Sequence, residues 1–405
     1  MQETGNRFPR TAAVIAEFNP FHSGHAFLLK KCRETGAECV LVIMSGNFVQ
    51  RGAPAVFDRY LRAEAALKCG ADVVVELPLP YAMATAERFA YGAVSLLKGL
   101  GMGGEDFLVF GSETGALEPL QNAVSVCGQA EQSSLFRKLL EKGLSFAAAR
   151  QKAVEILSPE TGEILLSPNN ALGVEYLRQA DRLKCPVQAV TVQRQGAGHH
   201  SGTSKGGFAS GSLLRQMIQE NRWNEAVPFF PEAAAGVFLG GLSQAALPQL
   251  GERAVLCRLR GLERDSLSTL PDCSEGIENR LWKASRQACT FQELCDMIKS
   301  KRYPMARVRR LVYSAFLQLD GNLCREPAPY CHLLGFSQRG EKLLARWKRQ
   351  AEIPVSHSLK KLEGLGGSCG KFAHAEAGAD DLYSLFQPVP RPCGAAYTAT
   401  VIRVP

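Results

Sequence analysis

Glu17-Phe18-Asn19-Pro20-Phe21-His22-Ser23-Gly24-His25 joins a short β-rich run, residues 11–16, to a helically patterned segment, residues 23–32. A helix that begins directly after a strand presents free N–H groups and a partial positive charge, which favours a phosphate. Gly24 has no Cβ, so a phosphate can approach its backbone closely. His22 and His25 are three positions apart, which puts both imidazoles on the same side of the first helical turn. From there both can donate hydrogen bonds to a triphosphate. Charge builds on the phosphoryl oxygens during in-line attack at phosphorus, so donors already in place lower the barrier. A histidine in a strand-to-helix loop also serves as a cap or a packing residue. Two of them around a glycine, after the first strand, point to the phosphate role.

Outward from this loop, residues 39–44 read as a buried strand and 72–77, 107–110 and 187–192 as three more strands. Helical patterns lie between them at 58–69 and 86–98, the first with Asp58 at its start and Gly70 just past its end. Strands alternating with helices imply βαβ units. The expected fold class is α/β, with a Rossmann-like parallel sheet of five strands. Its ligand belongs beyond the carboxyl ends of the strands, in the loops after Ala16, Met44, Leu77, Phe110 and Val192. Residues 116–183 read as mostly helical, interrupted at 158–163 and at Ser167-Pro168. After about residue 222 strand-like runs become rare, so a boundary falls near 225. This divides a catalytic domain, 1–225, from a mainly helical, basic domain, 226–405. The part after about 350, with its glycines at 364–370 and several prolines, reads as loop-rich with a late strand at 397–401.

At 405 residues and 46% hydrophobic content, two domains are the natural division. A net charge of +8 tolerates a polyanionic partner without demanding one. The 13 cysteines are scattered with no CxxC pair, and the gap between Cys324 and the Cys331-His332 pair does not suit zinc. Free thiols in a reducing compartment fit this pattern, and no metal site is expected. The first ten residues carry no apolar signal-peptide core, and no run approaches the length of a membrane span. A cytoplasmic protein without a membrane partner is expected.

A second constellation, Phe208-Ala209-Ser210-Gly211-Ser212-Leu213-Leu214-Arg215, opens a later helix. Its hydroxyls and N–H groups can hold the β- and γ-phosphates, and Arg215 can neutralise departing pyrophosphate. Alone it is also an ordinary capped helix. Residues 45–52, after the second strand, can form a substrate wall, and Gly111-Ser112-Glu113 is placed to touch a nucleotide. In the second half, Arg280, Lys283, Arg286, Lys299, Lys301, Arg302, Arg307, Arg309 and Arg310 cluster, with Trp282 and Tyr303 interleaved. Basic side chains release counterions from phosphates and aromatic faces stack on splayed bases. A solvated helix face has the same composition.

His-x-Gly-His after strand one, with Ser-x-Ser-x-x-Arg opening a later helix, resembles the adenylyltransferase superfamily that includes class I aminoacyl-tRNA synthetases. Within it the chain is most similar to the bacterial tRNA(Met) cytidine acetate ligases, through residues 17–25, 44–54, 110–115, 167–176, 275–281, 301–311 and 332–336. The resemblance implies activation of acetate by ATP, with magnesium, to acetyl-adenylate and pyrophosphate. The acetyl group then passes to the wobble cytidine of elongator tRNA(Met), giving N(4)-acetylcytidine without acetyl-coenzyme A. It places the nucleotide contacts on Ile15, Ala16, the quoted loop from Glu17 to His25, Ala26, Phe27, Leu28, Gly111, Asn169 or Asn170, and Arg194. Phosphate handling falls to His22, His25, Ser210, Ser212 and Arg215, and RNA contacts to Arg280, Lys283, Lys301, Arg302, Arg307 and Arg310. Two departures stand out: His199-His200-Ser201 replaces an expected Tyr-His-Asp, and Ser210-Gly211-Ser212 replaces Ser-Ala-Thr. A small-molecule adenylyltransferase and a non-catalytic, ATP-sensing RNA-binding protein are the alternatives.

Overall fold

The computed structural model describes residues 8–194 and 208–405, so His199, His200 and Ser201 lie outside the described residues. The described residues form ten strands: β1 (Thr11–Ala16), β2 (Cys39–Ser45), β3 (Phe48–Val49), β4 (Ala53–Pro54), β5 (Val73–Leu77), β6 (Phe107–Ser112), β7 (Gln188–Gln193), β8 (Cys331–Ser337), β9 (Val355–Ser356) and β10 (Ile402–Val404). The five expected strands lie side by side in the order β5-β2-β1-β6-β7, all parallel. The short β3–β4 pair is a separate antiparallel ladder at the head of β2.

Alternation along each buried strand feeds both faces. Ala13 and Ile15 of β1 join Leu41, Ile43, Val73 and Val75 in one apolar layer. Ala12 and Val14 join Val40, Val42, Met44 and Val74 in the other. Helix α1 (Ser23–Glu34) follows β1, and helix α2 (Arg59–Lys68) starts at Asp58, whose carboxylate accepts from the Tyr60 and Leu61 N–H groups. The expected breaks between 116 and 183 shrink to single residues, Ser158 and Ser167, each of which starts a new helix with proline at its first position.

The end of the chain departs from the sequence-based division. β8 pairs antiparallel with β5, and β9 and β10 pair with β8, so residues 331–404 complete the sheet begun at Thr11. The helical body proper, residues 232–317, keeps its own apolar core around Leu281, Val308, Leu311 and Phe316. That core also takes in Phe48, Leu79 and Met83 from the first part of the chain. The glycines at 364–370 introduce a 17-residue helix, Gly367–Tyr383, and the late strand is Ile402–Val404, since Tyr397 sits in a short helix. Small residues there serve close packing: Ala373, Ala377 and Ala379 are buried. Among the described residues no helix is long and apolar enough to cross a membrane.

Candidate active site

β1 ends at Ala16, and its loop turns back through Phe18, a non-glycine residue with φ +47°. Left-handed backbone at a bulky residue costs about 1–3 kcal/mol and persists only where packing holds it. Phe18 is buried edge-on against Phe21, 4.9 Å between centroids, with the His25 ring 4.7 Å away. Arg62, fully buried, fastens the same loop. It donates to the carbonyl of Glu17 at 2.6 Å, of Ser45 at 3.0 Å and of Phe57 at 2.9 Å, and also to that of Gly46. One cation thus holds together the carboxyl ends of β1 and β2. The Glu17 carboxylate accepts the Gln50 N–H at 2.9 Å, and Asn19 Oδ1 accepts the Val56 N–H at 2.9 Å.

The two histidines act as a reciprocal cap. His22 Nδ1 accepts the Gly24 N–H at 3.1 Å, and His25 Nδ1 accepts the His22 N–H at 3.2 Å. A ring nitrogen that accepts carries no proton, so the neutral rings hold theirs on Nε2. The rings stack with centroids 3.8 Å apart and 26° between planes, and both line the cavity above β1. Gly24 is needed here as much for His22 as for any ligand: a Cβ would lie 2.9 Å from His22 Cε1. The capping and phosphate roles expected as alternatives use different nitrogens of one ring.

Burial, followed by the charges of Arg194 and Arg215, pushes the His22 imidazole down to about 3. Burial, then His22 and Arg194, holds His25 well below the usual histidine range. Both rings are therefore neutral donors near pH 7. For stability the sign follows directly. The unfolded chain takes up the His22 proton near 6.5 and the folded chain near 3, so stability is complete above 6.5 and falls as pH drops toward 3. His22→Asn keeps a capping acceptor and removes the titration. Between pH 7 and 5 its urea midpoint is expected to fall less than that of the wild type, and equal falls would refute this account.

The cavity measures about 450 Å³. Of the residues expected to contact nucleotide, it is lined by Ile15, Ala16, Glu17, Phe18, Asn19, His22, Gly24, His25, Phe27, Leu28, Gly111, Asn169 and Arg194, together with Ser210, Ser212 and Arg215. Five others have different tasks or positions. Phe21 is buried in the core, Ser23 Oγ donates to the Phe229 carbonyl at 2.7 Å, and Asn170 Oδ1 takes the Glu113 N–H at 2.8 Å. Pro20 and Ala26 also lie off the cavity wall. Ile15 to Asn19 line the cavity without a break, and along helix α1 Gly24, His25, Phe27 and Leu28 line it while Ser23 and Ala26 do not.

Ser210 caps the Gly211–Gln219 helix through the Leu213 N–H at 3.2 Å. Arg215 crosses to the Asn19 carbonyl at 2.6 Å and to Ser212 Oγ at 3.0 Å, which ties the late signature to the first loop. Arg194 reaches Asn169 Oδ1 at 3.5 Å from its exposed place at the rim. Gln50 and Arg51 come from the expected wall, whereas Asn47 and Phe48 of the same segment are buried. Phe89, Phe110 and Tyr176 add aromatic walls to which the sequence assigned no contact.

The basic run divides. Arg307 is buried against Asp272, Ser274 and Glu275, Arg310 pairs with Asp272 at 3.0 Å and Arg302 with Glu275 at 3.1 Å. These three of the expected RNA contacts clamp the helical body to its own loop. Arg280, Lys283 and Lys301 are exposed and make no ion pair among the described residues.

A parallel sheet with two stacked histidines and a late Ser-x-Ser-x-x-Arg helix facing one cavity defines a nucleotidyltransferase. The profile of the HIGH Nucleotidyl Transferase family matches residues 10–394. The tRNA(Met) cytidine acetate ligase of Caldanaerobacter subterraneus is 36% identical over 352 residues, which cover 84% of this chain and 87% of the relative. The ligase of the same name from Syntrophomonas wolfei is 34% identical over 411 residues, covering 96% and 98%. Among solved structures, Thermotoga maritima TmcAL matches in its apo form with a TM-score of 0.89 at 28% identity, covering 98% of this chain and 100% of that one. The same protein bound with alpha-thio ATP matches with a TM-score of 0.88. The chain belongs to the tRNA(Met) cytidine acetate ligase family.

Proposed function

We propose that the cavity binds ATP and acetate, and that the chain acetylates the wobble cytidine of elongator tRNA(Met). The observation that carries this is the pair of neutral, stacked imidazoles whose Nδ1 atoms are occupied by the backbone, leaving Nε2–H as the donors. An acetate oxygen attacks the α-phosphorus in line, and the bond to the β-phosphate oxygen breaks, releasing pyrophosphate. The His22 and His25 donors meet the charge growing on the phosphoryl oxygens, and Ser210, Ser212 and Arg215 hold the leaving pyrophosphate. Gly111, Asn169 and Arg194 stand where the nucleoside end would lie. In the second step the cytidine N4 attacks the acetyl carbonyl, the bond to AMP breaks, and the N4 proton passes to solvent. Neither step needs a covalent link to the protein.

Magnesium would enter on the nucleotide phosphates, where it neutralises charge. Glu17 is the one carboxylate among the described cavity-lining residues, and it is the group the chain would offer the ion. Of the expected RNA contacts, the exposed Lys283 and Lys301, with Arg280 over the Tyr303 ring, are the ones offered to the RNA. Incubation with ATP, labelled acetate and total tRNA, without coenzyme A, is expected to put label into acetylcytidine. Label confined to acetyl-adenylate would remove the tRNA step, and no label at all would remove the proposal.

A further inference from the structure

A second cavity of about 500 Å³ lies beside the first, and its walls are cationic and hydroxylic. Arg88, Arg310 and Arg325 face it against a single carboxylate, Asp272, with Thr85 and Ser274 adding hydroxyls. Arg310 already pairs with Asp272 at 3.0 Å. Arg88 is half-buried beside the Tyr91 ring, Arg325 is exposed, and neither makes an ion pair among the described residues. Two guanidiniums without an acidic partner among the described residues, one half-buried and one exposed, give the recess a positive lining that suits an anion. Thr85 also caps the 14-residue helix Ala86–Gly99, so the partial positive charge of that helix start falls on the same recess.

The two cavities share walls. Ala86 and Phe89 line the first, while their chain neighbours Thr85 and Arg88 line the second. The other shared wall is the 51–52 turn. Arg51 borders the first cavity, and at Gly52 a Cβ would sit 2.5 Å from the backbone nitrogen of Arg310. Neighbouring positions at the start of the Ala86–Gly99 helix thus face different recesses, so the two adjoin along it. A nucleotide seated in the first would lead its own backbone toward the second.

We propose that the second cavity holds a backbone phosphate of the RNA flanking the nucleotide that is acetylated in the first. This rests on the RNA-modifying reading above and adds to it the place where the strand is gripped. A phosphodiester satisfies the two free guanidiniums and the hydroxyls together, and fixes the register of the strand without reading its sequence.

The test is R88Q/R325Q in the full-length protein, read by binding of an elongator tRNA(Met) transcript at several salt concentrations and by RNA-free, acetate-dependent pyrophosphate exchange. Neither arginine touches the first cavity, so exchange should stay at the wild-type rate. The tRNA Kd is expected to rise about 10-fold, with the salt slope shallower by about 1. Unchanged Kd and slope would overturn the proposal. So would inorganic phosphate altering exchange in the wild type but not in the variant, which would make the recess a site for the free anion. R325Q alone, at an exposed position, keeps the question open to measurement should the Arg88 change disturb folding; about a threefold rise in Kd is expected of it. If the wild type transfers no acetyl group yet R88Q/R325Q still weakens RNA binding, the acyl-transfer reading fails and this cavity stands.

Discussion

His22→Asn is expected to slow acetate-dependent adenylate formation by about 10²–10³-fold, while the unfolding free energy stays within about 1 kcal/mol of wild type. The two halves of this expectation come from the two nitrogens of one ring. Nδ1 caps helix α1 through the Gly24 N–H, and asparagine, a good N-cap residue, can take over that contact. Nε2–H faces the cavity, and asparagine cannot reach there. Pyrophosphate exchange measures the first half and urea denaturation the second. A variant that kept the wild-type exchange rate to within a factor of three would show that His22 is only a cap. A large loss of stability would show instead that slowed chemistry reported a damaged helix start.

That dual use explains how far the sequence could be read. The central strands were legible because strands covered on both faces must be largely apolar runs, and 12–16, 39–44 and 73–75 are such runs. The histidine pair was legible because three-residue spacing on a helix is a geometric statement. β8 was not. Its segment mixes Leu333, Leu334 and Phe336 with His332 and Gly335, and the partner that makes it a strand, β5, lies 256 positions earlier at the Glu76–His332 contact. The helix Gly367–Tyr383 was hidden by the glycines at its start, which signal a loop: Gly366 and Gly367 are exposed and take positive φ just where the helix begins. In the basic run between 280 and 310 composition counts charges, and only the fold shows that Asp272 and Glu275 claim three of them. Arg62 carries no motif, because a cation held by carbonyls leaves no acidic partner to find in the sequence.

The hidden C-terminal helix matters because it delivers two acids into a buried network behind the Gly46–Asn47 turn. Arg59, Glu76, Glu376 and Asp380 are each no more than 2% exposed. Arg59 donates to Glu76 at 3.0 Å and to Glu376 at 3.2 Å, with Asp380 at 3.5 Å, and His332 Nδ1 lies 2.6 Å from the second Glu76 oxygen. Burial alone would raise the Glu76 carboxyl, but Arg59, with His332 and Glu376, outweighs it and holds it down at about 2. Burial and the neighbouring Glu76 charge push Glu376 well above the carboxylate range, so it is a neutral acid that donates its proton to Glu76. The two glutamates look alike in sequence and should respond differently to the same change. Glu76→Gln leaves Arg59 without its closest counter-charge in a dry interior, an expected loss of about 3–5 kcal/mol. Glu376→Gln keeps a neutral donor toward Glu76 and an acceptor for the Leu79 N–H, and gives up only the contact with Arg59, an expected loss of about 1 kcal/mol. The network also sets the cavity wall: Asn47 bonds Asp380 at 2.7 Å and takes the Arg59 N–H at 2.8 Å, three positions before Gln50 joins Glu17. Glu76→Gln should therefore raise the KM for ATP in whatever protein remains folded, and Glu376→Gln should not. Urea denaturation at pH 7 separates the pair, and equal losses would mean that the proton is shared rather than resident on Glu376.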